Sequence, residues 1–160
     1  MTEKEDGTIV PKQSVGYIYK KRNMEVKLNR VNHAFHYKAT NSDKIVVNID
    51  ANAAIGGEGK GVRPMELVLM GLGGCASIDL GLILNKQKQE LQDYQVHITA
   101  TRKDNVAKTF DTINLHFILW GILDKQKVEK AIDLTLSKYC SVALSLSKEI
   151  KITTTFTVNN

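Results

Sequence analysis

Cysteine and proline are scarce in this sequence, with two of each among 160 residues, and aromatic residues make up only 6%. So few cysteines exclude a small fold held together by several disulfides. The few aromatic side chains do not alternate with basic residues, as they would in a surface that stacks nucleic-acid bases. The chain is long enough to bury a core without metal or disulfide support, which predicts one domain.

Long hydrophobic segments are also rare. Residues 1–13 are polar and lack the apolar centre of a signal peptide. The exception is the run 67–84, but it contains Asp79 and glycines at 71, 73, 74 and 81, and it lacks anchoring residues on both sides. We therefore predict a buried core helix here, in a cytoplasmic protein that does not bind membranes.

Clustered charge is the third feature that is missing. The formal net charge is +5, but the lysines are scattered and the densest basic run is Lys20–Arg22. Three residues are too few for a nucleic-acid footprint. The sequence predicts a solvated basic surface and no nucleic-acid partner, and it leaves acidic small molecules open as partners.

Alternating apolar and polar residues predict the N-terminal half of the fold. Three short runs, 25–28, 34–37 and 44–49, are separated by polar breaks and favour a three-stranded antiparallel meander. Residues 1–23 are interpreted as an N-terminal extension with a peripheral strand around 15–19, and residues 24–160 as the domain itself. The glycine-rich segment 56–61 matches no phosphate-binding motif and is predicted to be a flexible crossing loop.

The second half begins with a helix that is apolar nearly all round. Pro64 suits its first turn, and the pattern continues to Lys86 or Lys88. Two strands, two helices and a last strand should follow, at 94–102, 112–120, 124–138, 141–148 and 150–158. The fold class is α+β, with a central buried helix that needs more cover than one sheet gives, which suggests a dimer.

The two cysteines admit two interpretations. Cys75 lies in the middle of the predicted helix among glycine, alanine and serine, where a free cysteine usually packs as a small hydrophobic residue. Cys140 lies where one helix ends and the next begins. There, free N–H groups and the charge of Lys138 are expected to stabilise a thiolate. Packing residues and reactive thiols both stay open.

Other polar residues near the cysteines are assigned less specific roles. The four histidines (33, 36, 97 and 116) and the cysteines lack metal-ligand spacing, so no metal site is predicted. Asp79 lies one helical turn after Cys75 on the same face, where it would raise the pKa of the thiol, and a structural role is favoured. Glu66 precedes Cys75 by nine positions, which places it about half a turn away from Cys75 around a straight helix, on the opposite side from the thiol.

Several motifs in this order resemble those of one family. Pro64–Leu69 followed by Gly73–Asp79 is similar to the central-helix signature of the OsmC/Ohr superfamily, and Lys138–Val142 is similar to its second-cysteine motif. Ile113–Phe117 resembles the YhfA-like branch in particular. The resemblance extends from Met24 to the C-terminus.

The resemblance implies an intertwined homodimer in which N-terminal strands exchange and two active sites form at the interface. Cys75 would attack an organic hydroperoxide and become a sulfenic acid, and Cys140 would condense with it to a disulfide. A dithiol reductant, such as a lipoylated protein, would restore both thiols, and no cofactor is implied. Arg30 and Glu66 would assist Cys75.

The chain departs from the peroxidase branches in two respects, the residue after the helix-opening proline and the arginine of the N-terminal strands that holds the thiolate there. Those branches have a glutamate directly after the helix-opening proline, where this chain has Met65. Arg63 is an alternative to Arg30 as the arginine that faces the thiol. The leading hypothesis is a thiol-dependent peroxidase for organic hydroperoxides. The alternatives are a non-catalytic OsmC-like protein that binds an apolar or acidic small molecule and, third, a thiol redox sensor.

Overall fold

The computed structural model describes residues 23–159 and, before them, only the paired two-residue strands β1 (Thr2–Glu3) and β2 (Ile9–Val10). The predicted strand around 15–19 lies outside the described residues. The division between an extension and a domain near residue 23 stays a prediction.

A three-stranded antiparallel meander comes first. It contains β3 (Val26–Arg30), β4 (Tyr37–Asn41) and β5 (Val46–Ile49) in the order β3-β4-β5, which confirms the predicted sheet. The second strand begins later than predicted, however. The side-chain oxygen of Asn32 accepts hydrogen bonds from the N–H groups of Ala34, at 3.1 Å, and His36, at 3.2 Å. This turn removes residues 34–36 from the strand, because asparagine bonded to nearby backbone replaces the ladder.

The rest of the chain forms a helical layer on a second sheet, which we call the body. Its elements are α1 (Pro64–Lys86), β6 (Glu90–Arg102), β7 (Phe110–Ile122), α2 (Lys125–Leu134), α3 (Ser141–Ser145) and β8 (Lys151–Asn159). The sheet order is β6-β7-β8, with β6 antiparallel and β8 parallel to β7. The predicted element order is confirmed, although the second helix ends early and continues as a π-helical turn, Thr135–Tyr139.

The core lies between this sheet and the helices. The buried face of α1 presents Leu72, Ala76, Leu80 and Leu84 at four-residue spacing, and the central strand β7 contributes Ile113, Leu115, Phe117 and Leu119. Burying each such large side chain contributes about 1.5–3 kcal/mol. At Gly73 a Cβ would lie 2.6 Å from the Ile98 side chain, so glycine lets α1 approach β6 closely.

The described residues cover one face of α1. Among the described residues it is the one helix long and apolar enough to cross a membrane by length and composition. Its inner face packs on the sheet, as in the core helix of a folded domain. On its outer face, Met70, Ile78 and Leu82 are more than half exposed. The prediction that this helix is buried in the centre of the molecule is therefore confirmed for its inner face.

The glycine-rich loop before α1 is held by a buried carboxylate. The two side-chain oxygens of Asp50 accept hydrogen bonds from the N–H groups of Ala51, at 2.8 Å, and of Glu58 and Lys60, both at 2.9 Å. Backbone bonds, that from Lys60 foremost, hold the pKa of Asp50 below its usual 3.8 despite its burial. At Gly57 a Cβ would lie 1.9 Å from the Ala51 carbonyl oxygen, so only glycine fits. The segment predicted to be a flexible crossing loop is therefore held by Asp50 at two points, Glu58 and Lys60.

Candidate thiol site

The two cysteines, 65 positions apart in sequence, meet between α1 and α3. Cys75 is half-buried in the middle of α1, and Cys140 is fully buried just before α3. Their sulfur atoms lie within 4.8 Å of each other. The two thiols thus share one site, although the separation of free sulfurs still exceeds a disulfide bond of about 2.05 Å.

The π-helical turn after α2 delivers Cys140 to this position. The hydroxyl of Thr135, itself buried, donates to the carbonyl oxygen of Ala131 at 2.8 Å, and the N–H of Cys140 donates to the carbonyl oxygen of Thr135 at 2.7 Å. The Cys140 sulfur then accepts from the N–H of Ala143 at 3.5 Å and so caps α3. Backbone bonds on both sides therefore fix this thiol against α1.

The surroundings of Cys75 favour its thiolate. Burial by itself would raise the pKa of Cys75, but hydrogen bonds from the N–H of Val142 and from the side chains of Cys140 and Ser141 outweigh it. The net result is a pKa below the ordinary 9.0. Hydrogen bonds to a charged sulfur favour the charged form, so Cys75 is the better nucleophile of the pair.

Cys140 shows the opposite shift. Burial is the main cause that raises the pKa of Cys140 to about 11, and the neighbouring Cys75 adds to it, against the lowering effect of the N–H groups of Ala143 and Val142. The sequence-based expectation that the helix start stabilises a Cys140 thiolate is therefore wrong. The first N–H groups of α3 also serve Cys75, which is less buried, and Cys140 remains a thiol that donates its proton.

Besides Cys140, the side chains of Asp79 and Ser141 contact the Cys75 sulfur. The Cys75 thiol donates to the Asp79 carboxylate with a sulfur–oxygen distance of 3.8 Å, and the Ser141 hydroxyl lies 3.8 Å from the same sulfur. Asp79 acts against the thiolate, as the helical spacing predicted. Ser141 and the N–H of Val142 were missed. The sequence feature that could have identified these two residues is their position in the first turn of the helix that follows Cys140.

The predicted assisting residues lie elsewhere in the single chain. Glu66 accepts a hydrogen bond from the N–H of Arg63 at 2.9 Å and so caps α1 at its N-terminus. The Arg63 guanidinium lies 3.5 Å from the carbonyl oxygen of Asp50 and 3.4 Å from that of Gly61. Within residues 23–159, the side chains hydrogen-bonded to the Cys75 sulfur are those of Asp79, Cys140 and Ser141, none of which is a cation.

Arg30 lies on the apolar face of the meander. Cross-strand partners share a face of a sheet, and the register pairs Arg30 with Tyr37, and Tyr37 with Ile49. Leu28, Ala39 and Val47 are paired with one another across the three strands and lie on the same face of the sheet as Arg30. Among the described residues, this largely apolar face with one arginine at its end leaves Leu28 and Val47 exposed.

A separate cleft of about 310 Å³ opens near the start of α1. Its walls are mostly apolar and come from Met65, Val68, Ala107, Phe110, Leu146 and Ile150. At its rim, the Lys103 ammonium lies 3.0 Å from the Glu149 carboxylate. Neither cysteine lines this cleft, so it is a second feature and not the entrance to the thiol site.

Comparisons with known proteins agree with the fold and the sequence motifs. The family model described as OsmC-like protein matches residues 57–155. Protein YhfA from Escherichia coli K12 is 45% identical over 100 residues, which cover 62% of this chain and 75% of that protein.

Solved structures share the architecture. A hypothetical protein from Aquifex aeolicus is 27% identical to this chain, with a TM-score of 0.72. The match covers 87% of this chain and 99% of the Aquifex chain. An organic hydroperoxide resistance protein OsmC from Legionella pneumophila, also described as a predicted redox protein, is 17% identical. Its TM-score is 0.69, with 86% of this chain and 98% of that chain covered. The chain described here belongs to the OsmC-like protein family.

Proposed function

We propose that this protein is a thiol-dependent peroxidase that reduces organic hydroperoxides through Cys75 and Cys140. The observation that carries the proposal is the pair of adjacent sulfurs with opposite pKa shifts, a thiolate-favouring Cys75 beside a protonated Cys140. Family membership and the hydroperoxide-resistance relative from Legionella support it. Such a pair supplies a nucleophile and a proton donor in one place.

In the first step the Cys75 thiolate attacks the terminal oxygen of the hydroperoxide. The O–O bond breaks, the S–O bond forms, and the alkoxide leaves as an alcohol after taking up a proton. The Cys140 and Ser141 side chains, which hydrogen-bond the Cys75 sulfur, are the nearest donors for that proton. Cys75 is thereby oxidised to a sulfenic acid.

In the second step Cys140 resolves the sulfenic acid. Its thiolate, formed when the thiol gave its proton to the alkoxide, attacks the Cys75 sulfur, a disulfide forms, and the hydroxyl leaves as water with a proton taken up from the solvent. Because the two sulfurs start within 4.8 Å, a side-chain rotation and a small backbone adjustment are enough to bring them to bonding distance. An external dithiol, such as a lipoylated protein, then restores both thiols by exchange. A reducing compartment such as the cytoplasm would keep the pair in its reduced state.

A homodimer is part of this proposal. The meander exposes an apolar face that ends in Arg30, and the outer face of α1 exposes Met70, Ile78 and Leu82. Apolar surfaces of this kind mark protein interfaces. The exchange of meanders between two copies would cover both surfaces and bring the Arg30 cation of one copy towards the thiol site of the other, where residues 23–159 of the same chain place no cation in hydrogen-bond contact with Cys75.

The test is the oxidation of the intact, reduced, full-length protein, followed by mass spectrometry. A chelator is present throughout. We expect cumene hydroperoxide to remove two hydrogens from the chain faster than hydrogen peroxide does, as a Cys75–Cys140 disulfide forms. No reaction, or only slow addition of oxygen atoms, contradicts the proposal.

Two single substitutions serve as matched controls, because the chain has only these two cysteines. Cys140→Ser should still consume hydroperoxide but accumulate oxygen on Cys75, since no thiol remains to form the disulfide. Cys75→Ser should leave the mass unchanged. Equal disulfide-free oxidation in both variants would mean that neither cysteine is the specific nucleophile.

The apolar cleft favours a second candidate, a protein that binds a small apolar molecule without turnover. Met65, which stands where the peroxidase branches have a glutamate, forms part of the cleft wall. The side chain therefore extends an apolar surface there instead of adding a carboxylate. A cleft of this size accepts a small ligand and lies apart from both thiols.

This candidate is tested with the fluorescent apolar anion 1-anilinonaphthalene-8-sulfonate. We expect Ala107→Trp, which fills the cleft, to abolish saturable binding of the probe. Ala53→Trp places the same side chain on an exposed 3-10 helical turn and should leave binding intact. If both variants bind the probe equally, the cleft is not a ligand site.

A further inference from the structure

Asp79 is the one residue of the thiol site that the peroxidase proposal does not use. Its carboxylate lies 3.8 Å from the Cys75 sulfur, where its charge opposes formation of the thiolate that a peroxidase needs. None of the three ion pairs among the described residues involves Asp79. A half-buried carboxylate beside two thiols is a cluster of up to three negative charges, and a cation would neutralise it.

The three side chains are arranged as metal ligands are. One donor atom from each of Cys75, Asp79 and Cys140 lies within 4.8 Å of the other two. Around a tetrahedral zinc ion, with Zn–S about 2.3 Å and Zn–O about 2.0 Å, ligand atoms lie about 3.5–3.8 Å apart. The measured sulfur–oxygen distance of 3.8 Å is close to that value before any adjustment.

The elements that carry the ligands are rigid. Cys75 and Asp79 are four residues apart on α1, the spacing by which one helix face presents two ligands to the same ion. Cys140 is fixed by its backbone bond to Thr135 and its cap of α3. Ser141, whose hydroxyl lies 3.8 Å from the Cys75 sulfur, is placed to hydrogen-bond a coordinated thiolate.

We propose that Cys75, Asp79 and Cys140 bind a Zn²⁺ ion in the reduced protein. Two thiolates and one carboxylate favour zinc over hard cations such as Mg²⁺ or Ca²⁺, which take oxygen ligands. Three protein ligands leave a fourth tetrahedral position for water or a small anion. The ion offsets the charge of Asp79, which gives this carboxylate a role.

The site shares its cysteines with the proposed peroxidase but does not depend on their reaction with hydroperoxide. Binding requires both thiols to lose their protons, so it releases protons and occurs only in the reduced state. A Cys75–Cys140 disulfide would remove two of the three ligands. Bound zinc would therefore occupy the reduced pair and leave when the pair is oxidised.

The experiment titrates Co²⁺ into the reduced, chelator-stripped, full-length protein without oxygen. Co²⁺ takes the place of Zn²⁺ and reports its ligands by absorption. We expect a thiolate-to-cobalt charge-transfer band and the intense visible bands of tetrahedral Co²⁺, saturating at one ion per chain. Zn²⁺ should then abolish both, and prior oxidation to the disulfide should prevent them.

The Asp79→Asn substitution tests whether the Asp79 carboxylate coordinates the ion or only lies near it. We expect it to weaken Zn²⁺ binding at least about ten-fold, since it replaces a charged ligand while both thiols remain. Asp133→Asn is the matched control, because it removes an exposed carboxylate from α2 and should bind Zn²⁺ as the unaltered chain does. Cys140→Ser should lower the charge-transfer intensity, because one thiolate remains.

Two results would overturn the site. Co²⁺ bands without thiolate charge transfer would place the ion elsewhere, and equal Zn²⁺ affinity in Asp79→Asn and Asp133→Asn would remove Asp79 from the ligand set. Hydroperoxide oxidation is measured with chelator present. Its failure would therefore reject the peroxidase and leave zinc binding intact, and a failure of metal binding would leave the oxidation result unaffected.

Discussion

The body and the meander each contain a three-stranded sheet, but among the described residues only the body covers most of its large apolar side chains. On the central strand β7, Ile113, Leu115, Phe117 and Leu119 are fully buried beneath the helices. In the meander, the exposed fractions of Val26, Leu28 and Val47, which share one face of the sheet, are 58%, 57% and 37%. The same strand-forming residues therefore make a core in one region and an open apolar surface in the other.

The two sheets differ in whether helices pack on their apolar faces. α1 and α2 pack on the body sheet, whereas the meander is followed by the loop that Asp50 holds, and no helix within residues 23–159 makes extensive contact with it. A three-stranded sheet needs a packed face to be stable. The body thus has the contacts of an independent unit, and we expect the meander to depend on a second copy of the chain.

The largest effect is expected from the body core. Phe117→Ala should lower the free energy of unfolding by about 3–5 kcal/mol, because it leaves a cavity beneath α1. Urea denaturation followed by circular dichroism measures this change. Ile122→Ala, at the exposed end of the same strand, should stay within about 0.5 kcal/mol. Similar losses in both variants would contradict the division between covered and uncovered positions.

The next effect should appear in the meander as a change of assembly. Leu28→Asp places a charge on the proposed interface, where burial of the leucine would contribute about 1.5–3 kcal/mol per chain. We expect light scattering to give the mass of a single chain while the helical signal of the body persists. Asn29→Asp adds the same charge on the opposite face of β3 and should leave the dimer intact. A dimer in both variants would reject this interface.

A smaller effect is expected on the nucleophile in the body. Cys140→Ala removes a hydrogen-bond donor to the Cys75 sulfur and should raise the pKa of Cys75 from its position below 9.0. The pH dependence of Cys75 alkylation by iodoacetamide, with chelator present, measures it. The rate profile should move to higher pH in Cys140→Ala. Cys140→Ser, which keeps a donor, should move it less, and identical profiles would show that the donor is irrelevant.

The smallest effect concerns the loop that joins the two regions. The pKa of Asp50 is lowered on folding, so its contribution to stability is fully present above the usual 3.8 and is lost as the pH falls through the folded-state value. We expect hydrogen exchange of residues 50–63, corrected for intrinsic rates, to accelerate in that acidic range before exchange of β7 does. Asp50→Asn should already exchange faster at neutral pH. Unchanged exchange in this variant would remove Asp50 as the anchor.

The sequence by itself determined the elements. Pro64 predicted where α1 begins, and the long apolar pattern predicted where it ends. Alternation of apolar and polar residues predicted the strands of both sheets, because periodicity is a local property of the chain. It also supplied the family resemblance, through motifs around Cys75 and Cys140. Where a side chain redirects the backbone, as Asn32 does before β4, the local pattern placed the strand too early.

Only the tertiary structure decided the chemistry of the site. Local sequence context made Cys140 the expected thiolate, and only the family resemblance implied that Cys75 attacks. The folded chain turns the Val142 N–H and the Cys140 thiol towards Cys75 and buries Cys140. It also brought Asp79 and both sulfurs together, so that a carboxylate expected to be structural became a candidate ligand. The physical reason is that a pKa and a ligand set depend on distances and burial between residues far apart in sequence, which no local pattern encodes.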